Sequence, residues 1–470
     1  MDCENKPNSK LFYNGITFLE KTHEFTQTMN KEQPAEVKNY LSKYSAGLWK
    51  LELSEKKSYN NIIVIPAIQE YENILRLLKS LVQNNNKYFN ETLVIFVVNN
   101  LKSSHEDVIQ DNRKSLEFIR DIISEETGGD LINEIHLAEL NVGFIDASSK
   151  NFELPEKDGG VGLARKIGMD IALTHFDYSN KEKKILICLD ADCTVENNYL
   201  TSIVQSFNQS NIHAAYVDYE HILPPSEKEQ HAIICYEIFL RYYVLGLIFA
   251  NSPFAFPTIG STMICDYESY IRIGGMNKKK AAEDFYFMEK LAKITTIKKI
   301  DSTKVYPASR GSWRVPFGTG QRVNRYFAGT HEEYLLYNPK SFDVLKKWLH
   351  GFNSLEILGA DEYLKNAKEI HPALYSFLIE NSFHESWEKI LLNSKTDEQI
   401  QKQKMIWFDG FRTLKLIHFL RNNGFPLVNM FDALDEMFNH FDKKIIRVNN
   451  EELPTPEIQQ MYLAALRETT

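Results

Sequence analysis

The chain has 470 residues, more than one ordinary domain holds, so two or three domains are expected. With 43% apolar and 25% charged residues its composition is globular, and a net charge of −9 excludes a general nucleic-acid binder, which needs surplus positive charge to displace counterions. Cys3, Cys188, Cys193, Cys235 and Cys265 have no metal-ligand spacing and are odd in number, which points to a reduced, cytoplasmic setting.

Residues 1–58 read as a polar N-terminal extension, mainly helical around "EVKNYLSKYSAGLWKLEL", and the acids near its start do not suit a signal peptide. The pattern changes at 59. Ile62 to Ile65 form a β-branched run that suits a strand covered on both faces, and Pro66 ends it. Ile74, Leu77, Leu78, Leu81 and Val82 then fall on one helical face. "TLVIFVVNN", 92–100, is a second buried strand, followed by a helix through "SLEFIRDIISEE" and a short third strand in "INEIHLAEL". Val161, Ala164, Ile167, Ile171 and Ala172 line one face of the next helix, and "ILICL" runs as a strand into Asp190. Strands alternating with helices predict a mostly parallel α/β sheet. Such sheets bind ligands at the carboxyl ends of their strands, where the 66–70 segment, Asn99-Asn100 and Asp190 would meet.

The segment "YEIFLRYYVLGLIFANSPFAF", 236–256, invites a membrane reading, but Glu237 and Arg241 interrupt it. The unbroken run from Tyr242 to Ala250 falls well short of the roughly 20 residues that a spanning helix needs. A buried helix is expected, with an interfacial helix as the alternative. Residues 331–470 read as successive helices. In the last of these Thr455 is the N-cap, Pro456 lies in the first turn, and Ile458, Met461, Tyr462 and Ala465 share a face.

Four stretches carry residues suited to chemistry. Asp190 and Asp192, on alternate positions just past a buried strand, can both turn toward a hard cation such as Mg²⁺ or Mn²⁺; alone, they equally suit a solvated strand end. "GGVGLARK" matches neither a P-loop nor a dinucleotide fingerprint, but it places Arg165 one turn into a helix where an anion could sit. In "AAEDFYFMEKLAKI", Phe285, Met288, Leu291 and Ala292 form a buried face, and Glu283-Asp284 serve either as helix-dipole partners or, through Asp284, as a general base. "YPASRGSWRVPFGTGQRVNRYFAGTHEEY" carries Arg310, Arg314, Arg322 and Arg325 among glycines and aromatics, a loop suited to diphosphate binding, and His331 as a candidate third metal ligand.

Taken in order, "IIVIPAIQEYENILRLLKSL", "VVNN", "GLARKIGMDIAL", "ILICLDADC", "IGSTMICDYESYIRIGGM" and "AAEDFYFMEKL" resemble a soluble, non-processive family 2 glycosyltransferase of the GT-A fold over residues 59–330. The resemblance implies a Rossmann-like, mostly parallel sheet flanked by helices, followed by a C-terminal α-helical region at 331–470. It implies that Pro66, Ala67 and Glu70 begin the nucleotide pocket, that Asn99 replaces the usual base-reading Asp, and that Arg165 is the basic residue near the nucleotide, while Arg310 and Arg314 remain nucleotide-binding candidates from their loop alone. Asp190 and Asp192 become the ribose and metal–diphosphate contacts, Gly260 and Ser261 line the sugar and acceptor site, and Asp284 is the base of an inverting transfer. "QRVNRY" departs from the Gln-x-x-Arg-Trp of processive members. The expected activity is divalent-metal-dependent transfer from a nucleotide diphosphate sugar to a hydroxyl on a glycan, lipid-linked or small-molecule acceptor. Retaining transfer, nucleotidyl transfer and a non-catalytic nucleotide-sugar scaffold are the alternatives. The expected location is cytoplasmic, with room for peripheral contact at the inner face of a membrane.

Overall fold

The computed structural model describes residues 33–470 apart from 46, 56, 125–128, 310, 312–317 and 448–452. Four apolar runs form the parallel centre of the sheet: β2 (Asn61–Ala67), β3 (Thr92–Asn99), β4 (Asn141–Ala147) and β5 (Ile185–Cys188), in the spatial order β4-β3-β2-β5. β1 (Leu51–Leu53) adds an antiparallel edge beside β4. On the other side follow β8 (Met263–Asp266), β7 (Ala214–Tyr219), β9 (Ile297–Tyr306) and the short β6 (Thr194–Val195), completing nine strands. The mixed, mostly parallel sheet flanked by helices agrees with the α/β architecture read from the sequence.

The side-chain period of 2 in a strand explains how unbroken apolar runs serve two faces. Ile63, Ile65, Val94 and Phe96 meet Ile74, Leu77 and Ile119 from the Tyr71–Val82 and Glu106–Ile123 helices. Ile62, Val64, Ile95 and Val97 meet Leu163, Ala164 and Ile167 from the Val161–Ala172 helix. That helix lies very close to the sheet, since a Cβ on Gly168 would sit 2.4 Å from Val64 Cγ1. It is consequently buried almost all round rather than on a single face.

Three sequence readings are corrected. Pro66 does not end its strand: β2 continues to Ala67 beside β3, and Pro66 is tolerated there because the pairing with β5 stops at Val64. "INEIHLAEL" supplies a helix, Asp130–Leu137, in which Ile132 and Ile135 are buried, and the third strand is the next segment, Asn141–Ala147. In the Pro456–Thr469 helix the buried face is Gln459, Tyr462, Leu463 and Leu466, while Met461 is exposed. Gln459 tolerates burial because its amide donates to the Pro454 carbonyl at 2.8 Å.

A second core lies among the helices. Its central member is Glu227–Phe249, the helix that contains the membrane-like segment. Its apolar side chains share one core with Phe342, Trp348, Phe377, Leu416, Leu434 and Leu463 of the later helices. Among the described residues this is the one helix long and apolar enough to cross a membrane, and most of its apolar stretch is covered by the protein itself. The second core therefore draws on residues placed before 331 by the sequence reading. Of the N-terminal extension, the described part contributes the Ala35–Tyr44 helix and β1. Tyr40 there donates to Asp170 at 2.8 Å, and Asp170 also pairs with Lys166 at 2.9 Å, which ties the helix to the sheet layer.

Candidate active site at the strand ends

The carboxyl ends of β2 and β3 form a hydrogen-bonded floor. The Asn99 amide donates to the carbonyls of Ala67 and Val97, both at 3.0 Å. Asn112, on the Glu106–Ile123 helix, donates to the Asn99 carbonyl at 3.0 Å and to Asn100 Oδ1 at 2.9 Å, and accepts from the Gln69 backbone at 2.9 Å. Gln69 takes a left-handed φ of 55° there, a conformation that non-glycine residues adopt at some cost. Pro66 is half-buried, Ala67 and Glu70 are buried, and Glu70 accepts from Asn73. A polar cleft of about 380 Å³ opens beside this floor, with Glu70, Arg76 and Asp111 on its wall. Asn112 and Asp111 escape a sequence reading, because a polar pair inside an amphipathic helix looks like solvated surface.

Arg165 holds the rest of the site together. It is 2% exposed, and its guanidinium donates through Nη2 to Asp190 and through Nη1 to Glu283. These partners lie 25 and 118 positions away in the chain. Two glycines permit the approach: a Cβ on Gly260 would lie 2.2 Å from Arg165 Nη2, and one on Gly162 would lie 2.3 Å from the Lys279 carbonyl. Ser261, next to Gly260, is buried. Ala282 takes φ 58° immediately before Glu283 and turns the acidic pair into the first turn of the Glu283–Ala292 helix.

Three carboxyl groups therefore surround one guanidinium. Glu283 is buried and Asp190 is about one-third exposed, each on its own guanidinium nitrogen. Asp284 is half-buried, and burial together with the neighbouring Glu283 pushes its carboxyl up to about 7 although Arg165 pulls the other way. A carboxyl tuned to neutrality beside a crevice can take or give a proton at working pH. The nearby thiols cannot compete for that role, since burial pushes Cys188 up to about 12 and Cys193 well above its ordinary value.

Other predicted residues lie differently. Asp192 is half-buried in the turn after Asp190. His331 is exposed and bonds Thr330 Oγ1 at 2.9 Å. Asp190, Asp192 and His331 do not form a three-ligand group: among the described residues the sole such group is His213, Asp266 and Glu268. Arg322 and Arg325 both pair with Glu333, the former at 3.5 Å. Arg310 and Arg314 lie outside the described residues. The Arg165–Glu283 bridge has no sequence signature, because each half looks like an ordinary charged residue near a helix start.

No family model and no curated protein matches this chain. Solved structures do. S. aureus TarS residues 1–349, also solved with UDP-GlcNAc, is 13% identical, and the match covers 83% of this chain and 95% of that one at a TM-score of 0.36. The Pyrobaculum calidifontis mannosyltransferase PcManGT, solved with GDP-Man and Mn²⁺, is 12% identical over 91% of this chain and 98% of that one at 0.35. GalNAc-T7, solved with UDP, GalNAc and Mn²⁺, is 12% identical over 79% and 59% at 0.34. Likenesses at these TM-scores decide neither activity nor substrate, and the chemistry rests on the residues of the site.

Proposed function

We propose that this protein transfers a sugar from a nucleotide diphosphate sugar to an acceptor hydroxyl, with inversion at the anomeric carbon. The observation that carries the reading is the meeting of Asp190, Arg165, Glu283 and Asp284 at the carboxyl end of a parallel sheet, with Asp284 tuned to about 7. Asp284 acts as the general base: it takes the acceptor proton as the hydroxyl oxygen bonds to the anomeric carbon and the bond to the leaving diphosphate breaks. Arg165, fixed by Gly260, holds Asp190 and Glu283 in place through its two terminal nitrogens and so positions the acids of the site. The floor around Ala67 and Asn99 supplies a flat, polar base for the nucleoside, and Glu70 lies at its edge.

The donor set fits a hard divalent cation, because carboxylates at 190 and 192 are oxygen ligands and the cluster carries more acid than base. Asp192, with the second oxygen of Asp190, would hold Mg²⁺ or Mn²⁺, which when bound neutralises charge on the leaving diphosphate. Incubation with a panel of nucleotide sugars, with and without Mn²⁺, tests the reading by release of nucleoside diphosphate. Loss of turnover in both Asp192→Ala and Asp284→Asn is expected. Unchanged turnover in both folded variants would overturn it, and release of pyrophosphate instead would indicate nucleotidyl transfer.

A further inference from the structure

A partly open, largely apolar pocket shares its wall with the segments that carry the candidate site. Its volume is about 200 Å³, and Phe239, Tyr243, Phe254, Ile259, Phe285 and Leu414 are among its walls. Phe285 directly follows Asp284, and Ile259 directly precedes Gly260, the glycine that lies on the Arg165 guanidinium. The charged cluster and the neighbouring pocket therefore differ sharply in chemistry. The cluster holds a guanidinium and three carboxyls and suits a cation. The pocket is walled by aromatic and aliphatic side chains, and among its lining residues Glu289 is the one charged group. The Glu289 carboxylate is already used as an acceptor for the Phe411 backbone N–H at 2.9 Å and pairs with Lys293 at 3.4 Å.

A charged nucleotide diphosphate would lose its hydration in such a cavity with no partner to replace it. A hydrocarbon would not. An engineered apolar cavity of about 150 Å³ stays dry and takes benzene, so this volume admits a ring or a branched chain of that order.

We infer that the acceptor carries an apolar group, and that this cavity receives it while the acceptor hydroxyl faces Asp284. The inference rests on the sugar-transfer reading and narrows it: the acceptor is an alkyl- or aryl-linked hydroxyl compound rather than a wholly polar glycan. Long lipid carriers and small aryl glycosides share this chemistry, and the assay separates them.

Nucleoside diphosphate release from the donor panel is measured with methyl, phenyl and octyl β-glucosides below their micellar concentrations, and with phosphatidylcholine vesicles carrying a long-chain alkyl glucoside. Leu414→Trp, which fills the cavity from the helical side, is run in parallel. Thermal unfolding of that variant, and binding of the phenyl and octyl glucosides without donor, are recorded as well. Phenyl and octyl glucosides are expected to stimulate release at least tenfold more than the methyl glucoside. Leu414→Trp is expected to abolish that preference while leaving the methyl glucoside rate within twofold. Greater stimulation by the vesicle-borne glucoside identifies a lipid source, and greater stimulation by the phenyl glucoside a small aryl one. Equal stimulation by all the glucosides, or a preference that survives Leu414→Trp in a folded protein, overturns the inference while sugar transfer stands. If no donor is turned over but phenyl glucoside still binds and Leu414→Trp blocks it, the sugar-transfer reading fails and the cavity keeps its apolar ligand class. Absence of both turnover and binding overturns both.

Discussion

At the crevice, Arg165 faces Asp190 and Glu283, with Asp284 alongside. At the junction of the two cores, Glu237 accepts from Arg241 at 2.9 Å, from Arg467 at 2.8 Å and from the His221 backbone at 3.0 Å. Both clusters bury charge, yet they balance it in opposite ways. Burial alone would raise Glu237, but the bonds from His221 and the two arginines outweigh it and hold the carboxyl well below the usual range. Around Arg165 the acids outnumber the base, and Asp284 is driven upward. A junction needs every charge matched, because an unpaired buried ion destabilises the fold. A reaction centre gains from imbalance, because a group near neutrality can exchange a proton and because surplus acid attracts a cation.

The sharpest way to break this contrast is to neutralise one carboxyl in each cluster. Asp284→Asn should lower turnover by about 10²–10⁴-fold, as loss of a general base does, with no loss of thermal stability at neutral pH. Glu237→Ala should do the reverse. It removes the carboxylate that Arg241 and Arg467 share, leaving Arg241 with the longer ion pair to Asp218 at 3.4 Å, and should cost about 3–5 kcal/mol in denaturant unfolding, while the folded fraction keeps its turnover within twofold. A Glu237→Ala protein of ordinary stability would mean that the junction is not held by its charges.

Gly260→Ala tests how closely Arg165 must be held. The added methyl would meet the guanidinium at 2.2 Å, so the arginine must move away from Asp190 or Glu283. Displacement by about 1 Å is expected to cost roughly 10²-fold in turnover, measured beside an unfolding curve.

The two acids should also respond oppositely to pH. The folded Asp284 carboxyl keeps its proton to about 7, whereas unfolded it loses it near 3.8. In that window the native state binds more protons, so its contribution to stability falls as pH rises. Wild type should therefore lose stability between these values relative to Asp284→Asn. Turnover should rise through about 7 as the base ionises. Glu237, held below its ordinary 4.5, contributes stability present above that value and lost as pH falls below it. Calorimetry of the two variants across pH 3–8 separates the signatures. The smallest effect is expected for the Lys304–Glu220 pair at 2.9 Å, about one-third exposed, where Lys304→Ala should cost under about 1 kcal/mol.

Much of the sheet was legible because its runs are unambiguous. Ile62–Ile65 and Val94–Val98 contain no polar residue, and such stretches end up covered on both faces. "INEIHLAEL" misled because Ile132, Ile135, Leu137 and Leu140 mix helical and alternating spacings. Only docking, which buries Ile132 and Ile135 at i and i+3, selects the helix. The last helix was read correctly as a helix but with the wrong face, since its orientation depends on which ridge meets the Glu227–Phe249 helix.

The amino-acid order by itself determined that the apolar runs had to be buried, and that Asp190 follows directly on one of the parallel strands. Those properties depend on neighbours a few positions apart. Tertiary structure alone decided that Arg165 is shared between Asp190 and Glu283, that Asp284 is tuned toward neutrality, and that an apolar cavity adjoins it. Each depends on contacts between distant segments, and Gly162 and Gly260 permit the close approach around Arg165. Local pattern records what a residue prefers, whereas its charge state and its partners are set by what packing brings within a few ångströms of it.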